Sequence, residues 1–267
     1  MTPLNGRLRL VCASEPGERS ILRESGASGT FHVSKPYWDG NVLQVQVSNP
    51  TGGILEGDRL ESYVRVEESA RLFLTPTSAM RLYSMEETGA ESHAVFLVER
   101  NGWLEVFPEL LIPQARARFR QHNEIRVAAG AELYFAETLA PGRLARGEAY
   151  AFDALDLRTD LLFEGRIIAS DRCRLRPEAL PLSPWPFWYY AAVWVVSEKF
   201  QRCADLSERI EALGSDSLQI GCSELLDAGW GVKLLARDSL TLREALRRIR
   251  SLAAETIPYL RLQPRKW

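Results

Sequence analysis

Histidine and cysteine, the side chains that bind soft and borderline metal ions most tightly, are scarce in this sequence. The chain has 267 residues but only three histidines and four cysteines. No histidine pair has the H-E-x-x-H spacing, and no cysteines have the C-x-x-C spacing. The residues are His32, His93 and His122, and Cys12, Cys173, Cys203 and Cys222. We therefore predict no tightly bound metal or other cofactor, and cysteines that are small buried hydrophobes in a reducing compartment.

Long apolar segments and an excess of one charge are also absent. The most apolar stretch, residues 185–196, is shorter than the roughly 18 residues that a membrane-spanning helix needs. Residues 1–10 lack the apolar centre of a signal peptide. The formal net charge is −2, which gives no reason to expect nucleic acid or an anionic membrane as a partner. We expect a cytoplasmic protein without a membrane anchor.

Two common catalytic signatures are missing. There is no Gly-x-Ser-x-Gly elbow. Gly52 and Gly57 have the spacing of a phosphate-binding loop, but Asp58-Arg59 stands where that loop needs Lys and then Ser or Thr. Residues 60–66 alternate as a strand, whereas a phosphate-binding loop opens a helix. We therefore exclude nucleotide binding at this loop. A Ser-His-Asp site assembled from distant segments stays open, and nothing in the sequence selects one.

The first two-thirds of the chain is typical of many short strands separated by turns. The Asn101-Gly102 dipeptide predicts a β-hairpin, and no fixed-period repeat indicates a solenoid of near-identical coils. The predicted strands are 7–11, 31–33, 42–47, 60–66, 71–75, 94–98, 103–107, 117–127, 132–139, 150–158, 161–168 and 172–175. We predict a mainly β fold, a long irregular stack of antiparallel and mixed strands that is β-helical or sandwich-like.

The last third has a different pattern. Residues 177–186 form a proline-rich spacer, and the aromatic cluster at 185–194 is expected to be core rather than a partner surface. Two helices are predicted, one over residues 203–213 and one that begins at a Thr241/Glu244 capping box and ends at Pro258. Strands at 218–220 and 231–235 lie between them. We treat 1–267 as a single domain, with a strand-rich part (1–176) and a C-terminal part (177–267).

Four short motifs use turn residues to place a charge or a hydroxyl. Each alone is weakly specific, and ion pairs of Arg143 or Arg146 with Asp58 or Glu148 would be their simplest explanation. The motif residues are Asn49, Thr51, Gly52, Gly53, Gly57 and Asp58; Thr75, Arg81 and Tyr83; Glu105, Pro108 and Glu109; and Gly142, Arg143, Arg146, Gly147 and Glu148.

In this order the motifs resemble the UreD (UreH) family of urease accessory proteins. They match its N-P-T-G-G-I-x-x-G-D, T-P-x-x-A-x-x-x-Y, L-E-x-x-P-E-x-x-I-P and G-R-x-A-x-G-E patterns, and weaker likeness extends over nearly the whole chain. Arg81-Leu-Tyr83-Ser84 departs from the usual Lys-x-Tyr-Arg, and Glu56 stands where the family often has Gly.

The resemblance implies a mostly β, non-catalytic chaperone of metallocentre assembly. Such a protein binds the urease apoprotein and, with UreF and UreG, delivers nickel to the urease active site through a water-filled internal passage. On this resemblance we hypothesise that Asp58 and Glu148 bind nickel in transit, with Arg143, Arg146 and Tyr83 as supporting residues and the other motif residues along the passage. Carboxylates and water hold a divalent ion loosely, which suits passage rather than storage.

Two other classes of function stay open. One is a β-rich hydrolase that uses paired carboxylates such as Glu105 and Glu109, although Pro108 breaks the regular strand between them. The other is a metal-free structural interaction protein that uses the aromatic stretch 185–194.

Overall fold

A computed structural model of the chain describes residues 4–15, 19–177, 189–200, 205–226 and 228–262. Trp185, Trp188 and Cys203 lie outside these residues, and so does the predicted spacer except for Pro177.

The helices are α1 Leu206–Glu211 and α2 Ser239–Ala253, with short 3-10 segments at Leu144–Arg146 and Pro258–Arg261. The strands are β1 Asn5–Ser14, β2 Ser20–Ser28, β3 His32–Val33, β4 Tyr37–Asp39, β5 Val42–Ser48, β6 Gly53–Ile54, β7 Arg59–Val66, β8 Arg71–Pro76, β9 Met80–Leu82, β10 Ala90–Val98, β11 Trp103–Val106, β12 Leu111–Pro113, β13 Arg118–Val127, β14 Glu132–Leu139, β15 Gly142–Arg143, β16 Glu148–Ala149, β17 Ala154–Phe163, β18 Arg166–Leu175, β19 Tyr189–Val196, β20 Leu218–Glu224 and β21 Gly229–Ala236.

The centre of the fold is a β-helical stack in which the chain visits three ladders in turn. The first sheet has the order β18-β17-β13-β10-β7-β1-β2, and the second contains β20-β21-β19-β14-β11-β8-β5-β3. A third, short ladder joins β6, β9 and β12. The coils β5-β6-β7, β8-β9-β10 and β11-β12-β13 each contribute one strand to every ladder, with parallel pairing between coils. The prediction of a mainly β stack with mixed pairing is confirmed.

The core between the two large sheets is aligned by this register. Leu43, Leu72, Leu104 and Leu133 are consecutive partners across β5, β8, β11 and β14, and each is fully buried. Burying a leucine side chain contributes about 1.5–3 kcal/mol, so this leucine row is a principal source of cohesion between coils.

The predicted hairpin at Asn101-Gly102 is wrong. The dipeptide does make a turn, since the Gly102 N–H donates to the Glu99 carbonyl at 2.8 Å. However, β10 belongs to the first sheet and β11 to the second, so the turn is a corner between sheets. Both edges of β10 are already occupied by β7 and β13, which leaves no edge for β11.

A two-residue hairpin does form between β17 and β18. Phe163 pairs with Arg166, and the two loop residues, Glu164 and Gly165, have φ of 47° and 77°. Positive φ at both positions is the signature of a type I′ turn. The predicted strand 161–168 is therefore wrong, because the chain reverses within it.

The helices pack on the outer face of the second sheet, where they form a second hydrophobic core with that face. The apolar face of α2 is buried and includes Leu242, Leu246 and Ile249. The predicted capping box is wrong: Asp238 is the N-cap, and its Oδ1 accepts from the Leu240 and Thr241 N–H groups at 2.9 and 2.8 Å. Pro258 does not end the helix, which stops at Ala253. Trp194 is buried as expected.

Candidate functional site

The loop that contains the first motif is held by its own side chains. Asn49 Oδ1 accepts from the Thr51 N–H at 2.9 Å, and Asn49 Nδ2 donates to the Gly53 carbonyl at 2.9 Å. Gly53 pairs with Arg81, and a Cβ on Gly53 would lie 2.6 Å from both the Arg81 carbonyl and the Tyr83 ring. The first two motifs are thus neighbours, because glycine permits this close approach. Gly52 and Gly57 have the positive φ that the bends of the loop require.

Asp58 is buried at the end of this loop. Its Oδ1 accepts from the Leu4 N–H at 3.0 Å and its Oδ2 from the Leu55 N–H at 2.9 Å. The carboxylate therefore fastens the start of the chain to the loop before β7.

Glu148 forms an ion pair with Arg143 across the small β15–β16 ladder. Arg143 Nε donates to Glu148 Oε2 at 2.8 Å, and Nη2 donates to Oε1. This guanidinium holds the pKa of Glu148 below its usual range. A Cβ on Gly142 would lie 2.0 Å from the Glu148 carbonyl, so the ladder needs glycine there. The predicted pairing of Arg143 with Glu148 is present, and Arg146 is exposed.

Glu105 connects the second sheet to α2. It is fully buried, and its two oxygens accept from Arg250 Nε at 2.6 Å and Nη2 at 2.9 Å. Burial raises the pKa of this carboxyl, and the guanidinium opposes the shift. Glu109 contributes its carbonyl to the Thr138 hydroxyl at 3.0 Å. Since the Glu105 carboxylate is paired beneath a helix, this geometry does not favour a hydrolase built on Glu105 and Glu109.

The remaining second-motif residues differ in exposure: Thr75 is buried in β8, whereas Arg81 is exposed on β9. Pro108 and Glu109 follow β11 and line the cavity described next.

A cavity of about 250 Å³ lies between the two large sheets, and its wall combines apolar side chains with a cluster of polar ones. One rung of the first sheet crosses it and consists of Ser62, Ala94, Asn123, Thr159 and Asp171 in register. The polar lining residues are Ser62, Ser92, Glu109, Gln121, Asn123, Glu137, Thr138, Thr159, Asp171, Cys173 and Tyr190. Buried polar groups are costly without partners, so this concentration inside an apolar stack marks a candidate site. Asp58 and Glu148 are not among the lining residues.

Glu137 projects from the second sheet toward that polar rung. Its Oε1 accepts from Gln121 Nε2 at 2.6 Å and Asn123 Nδ2 at 2.5 Å, and its Oε2 accepts from the Thr159 hydroxyl at 2.8 Å. Burial raises the pKa of Glu137 to about 7, and Asp171 adds to the shift. The residue is half-buried rather than sealed, because its carboxyl group faces the cavity.

The cavity meets the surface beside Asp171. Lys233 Nζ forms an ion pair with Asp171 and donates to the Tyr190 hydroxyl at 2.7 Å. The Lys233 side chain is 45% exposed, which places this contact at the boundary with solvent. Burial raises the pKa of the Cys173 thiol on the adjacent rung.

The sequence motifs did not identify this cavity, although a signal was present. Gln121 and Asn123 share a strand face with Phe119 and Ile125, and Glu137 shares one with Phe135, by the two-residue period of a strand. Polar residues on an apolar face were the available signal.

In the described ranges, side chains that could bind a metal ion lie close together only in twos. Within those ranges no three His, Cys, Asp or Glu side chains lie close enough to hold a metal ion. Strand register does bring His93 and His122 together on the outer face of the first sheet, with ring centroids 5.3 Å apart. His122 Nε2 lies 2.8 Å from Asp160 Oδ2. No helix in the described part of the chain is long and apolar enough to cross a membrane.

Comparison with known proteins gives one consistent relationship. Residues 4–267 match a family model described as UreD urease accessory protein. The chain is 36% identical to Urease accessory protein UreD of Opitutus terrae over 267 residues, which covers 98% of both chains. It is 32% identical to the protein of that name from Herpetosiphon aurantiacus, over 96% of this chain and 86% of the relative. The corresponding Staphylococcus aureus (strain bovine RF122) protein is 24% identical over 90% of both chains.

Proposed function

The chain belongs to the UreD urease accessory protein family, and on that premise we propose that it is a non-catalytic scaffold for urease maturation. In this proposal it binds the urease apoprotein together with UreF and UreG, and nickel passes through it toward the urease active site. The match over nearly the whole chain supports the accessory role, and the polar cavity supports the passage.

The observation that carries the passage is the set of partners of Glu137. Its three side-chain donors, Gln121, Asn123 and Thr159, are all neutral. A carboxylate has about four lone-pair sites, so the ionised form keeps a negative charge and acceptor capacity that an arriving cation can use. The carboxylates of Asp58 and Glu148 are instead engaged by backbone N–H groups and by Arg143. We therefore centre the passage on Glu137, and a transit role for Asp58 and Glu148 stays a prediction.

The chemistry of the lining favours release over storage. Three acids, Glu109, Glu137 and Asp171, line the cavity together with amides and hydroxyls, and such oxygen ligands bind nickel more weakly than imidazole or thiolate clusters do. Asp171 at the mouth attracts the cation, while Lys233 limits that attraction. A conduit needs this balance, because an ion that binds tightly does not leave.

The test is Glu137→Gln, assayed separately for assembly with the apoprotein, UreF and UreG and for nickel-dependent urease activation. We expect assembly to be retained and activation to fall by about tenfold, the effect of losing roughly 1.4 kcal/mol of favourable interaction. Glu224→Gln removes an exposed acid at the end of β20 and is the matched control. Lost assembly would assign Glu137 a structural role, and unchanged activation would remove it from the path.

A further inference from the structure

One edge of the first sheet carries a row of arginines. β18 is the last strand of that sheet, and among the described residues no strand pairs with its outer edge. Arg172 and Arg174 in β18 and Arg176 just after it are exposed, at every second position. Asp171 and Cys173, which alternate with the first two arginines along the strand, face the cavity on the other side. The arginines therefore share the outer face of the sheet.

This row borders a groove whose charge is unbalanced. The groove has a volume of about 890 Å³, and its lining includes five arginines but only two acids, Glu91 and Asp156. Arg120 pairs with Glu91, and Arg118 pairs with Asp153, which lies outside the lining. Arg172 and Arg174 share Asp156, at 2.6 and 3.7 Å. Arg176 has no ion pair within the described ranges. Positive charge thus remains at the end of β18, in a protein whose net charge is −2.

We propose that the edge of β18 accepts an extended acidic segment of a partner protein, which pairs with it as an additional strand and places carboxylates at alternate positions beside these arginines. An exposed sheet edge supplies unpaired N–H and C=O groups for strand addition. Alternate residues of a strand are roughly 6.7 Å apart, so every second side chain of an added strand faces the arginine row. Opposite charges at such cross-strand positions stabilise the pairing.

The chemistry favours a protein segment over a nucleic acid. The acids of the groove, Glu91 and Asp156, already pair with Arg120, Arg172 and Arg174, so the remaining positive charge lies at the end of β18 and does not form a continuous basic track for a phosphate backbone. The aromatic residue of the groove, Phe119, is buried and offers no exposed surface for base stacking. This inference rests on the proposed scaffold role in one respect, namely that the partner is a protein of the urease maturation complex. Strand addition at the β18 edge can be tested with a peptide in the absence of urease.

The experiment uses the full chain and a dye-labelled ten-residue peptide that alternates glutamate and threonine. Fluorescence anisotropy should detect binding that weakens as salt is raised. The double variant Arg174→Ala/Arg176→Ala should weaken it by about tenfold. This variant keeps the Arg172–Asp156 pair, so the fold should be retained, and an unchanged melting temperature would verify this. Arg100→Ala, at the exposed corner between β10 and β11, should bind like the wild type.

Two further probes test the strand-like mode. A peptide of the same composition with its glutamates in one block should bind more weakly, as should an alternating peptide with N-methylated backbone amides. Equal binding of all the peptides would overturn the proposal, and so would equal binding by the wild type, the double variant and Arg100→Ala. Absence of binding would also overturn it and would leave the arginines the role of preventing self-association of the edge. Stronger competition by a short single-stranded RNA than by unlabelled peptide would also overturn it.

Discussion

Asn123 Nδ2 donates a hydrogen bond of 2.5 Å to Oε1 of Glu137 across the space between the two large sheets. Because each residue lies on a strand of a different sheet, this contact fixes the carboxyl group within the cavity. The pKa of Glu137 is raised to about 7 because its carboxyl group is buried and no cationic side chain of the described residues lies within hydrogen-bond distance of it. The position of this one acid determines both the stability and the proposed function of the cavity.

The raised pKa of Glu137 predicts a pH-dependent difference in stability. From about pH 5 to pH 7 the folded state retains a proton that the unfolded state has lost, so stability falls as pH rises through this window. Glu137→Gln cannot ionise and lacks this decline. We expect the melting temperature of the variant, minus that of the wild type, to increase between about pH 5 and pH 8. Thermal unfolding monitored by circular dichroism tests this, and a constant difference would contradict the assigned pKa.

The buried pair Glu105–Arg250 predicts a large cost when one partner is removed. Arg250→Met leaves an uncompensated buried carboxylate and should lower the free energy of unfolding by about 3–5 kcal/mol. The combined change Glu105→Leu/Arg250→Met should recover part of that loss, measured by urea unfolding. Arg248→Ala, on the exposed side of α2 in a weak pair with Glu244, should change stability by less than about 0.5 kcal/mol. Similar effects of Arg248→Ala and Arg250→Met would contradict the assignment.

The leucine row predicts a cavity-sized penalty. Leu104→Ala removes a side chain that is fully buried between Leu72 and Leu133, and should cost about 2–5 kcal/mol. Leu240→Ala is the control, because Leu240 is 73% exposed. Equal denaturation midpoints for the two variants would show that the row is not a core feature.

The close approach at Gly53 predicts intolerance of a single methyl group. A Cβ there would lie 2.6 Å from the Arg81 carbonyl, so Gly53→Ala should destabilise the protein by about 1–3 kcal/mol through steric strain. Gly221→Ala adds the same atom where nothing lies within 4 Å, and it should be tolerated. Comparable melting temperatures for the two variants would contradict the close contact between the loop and β9.

Many of the strands could be predicted from sequence, although β2 at Ser20–Ser28 was missed, but the pairing of the strands could not be predicted. Alternation located β5, β8 and β14 to within a residue or two, because period two is a local property. Whether Asn101-Gly102 reverses the chain within one sheet or connects two sheets depends on which edges distant strands already occupy. The cap of α2 was misplaced for a local reason, since Asp238 competes with Thr241 and accepts more backbone N–H groups.

The same holds for the candidate site, where contacts that are local in sequence were predicted and long-range contacts were not. The motifs predicted the ion pair of Arg143 with Glu148, which is five residues away in the chain. The cavity depends on Asn123, Thr159 and Asp171, which strand register brings together, and on Glu137, which the packing of the second sheet against the first places opposite them. From the sequence alone, an acid such as Glu137 in a strand is expected to face solvent. Only the structure shows that both faces of β14 are buried.

The most direct test of the proposed passage is to obstruct the cavity without changing its charge. Ser92→Leu enlarges a lining residue, and the measurement is nickel-dependent urease activation by complexes verified to contain the variant, the apoprotein, UreF and UreG. Ser251→Leu, on the exposed part of α2, is the matched control. For Ser92→Leu alone we expect intact assembly and activation reduced by about tenfold, a barrier increase of roughly 1.4 kcal/mol. Full activation with the cavity obstructed would contradict it.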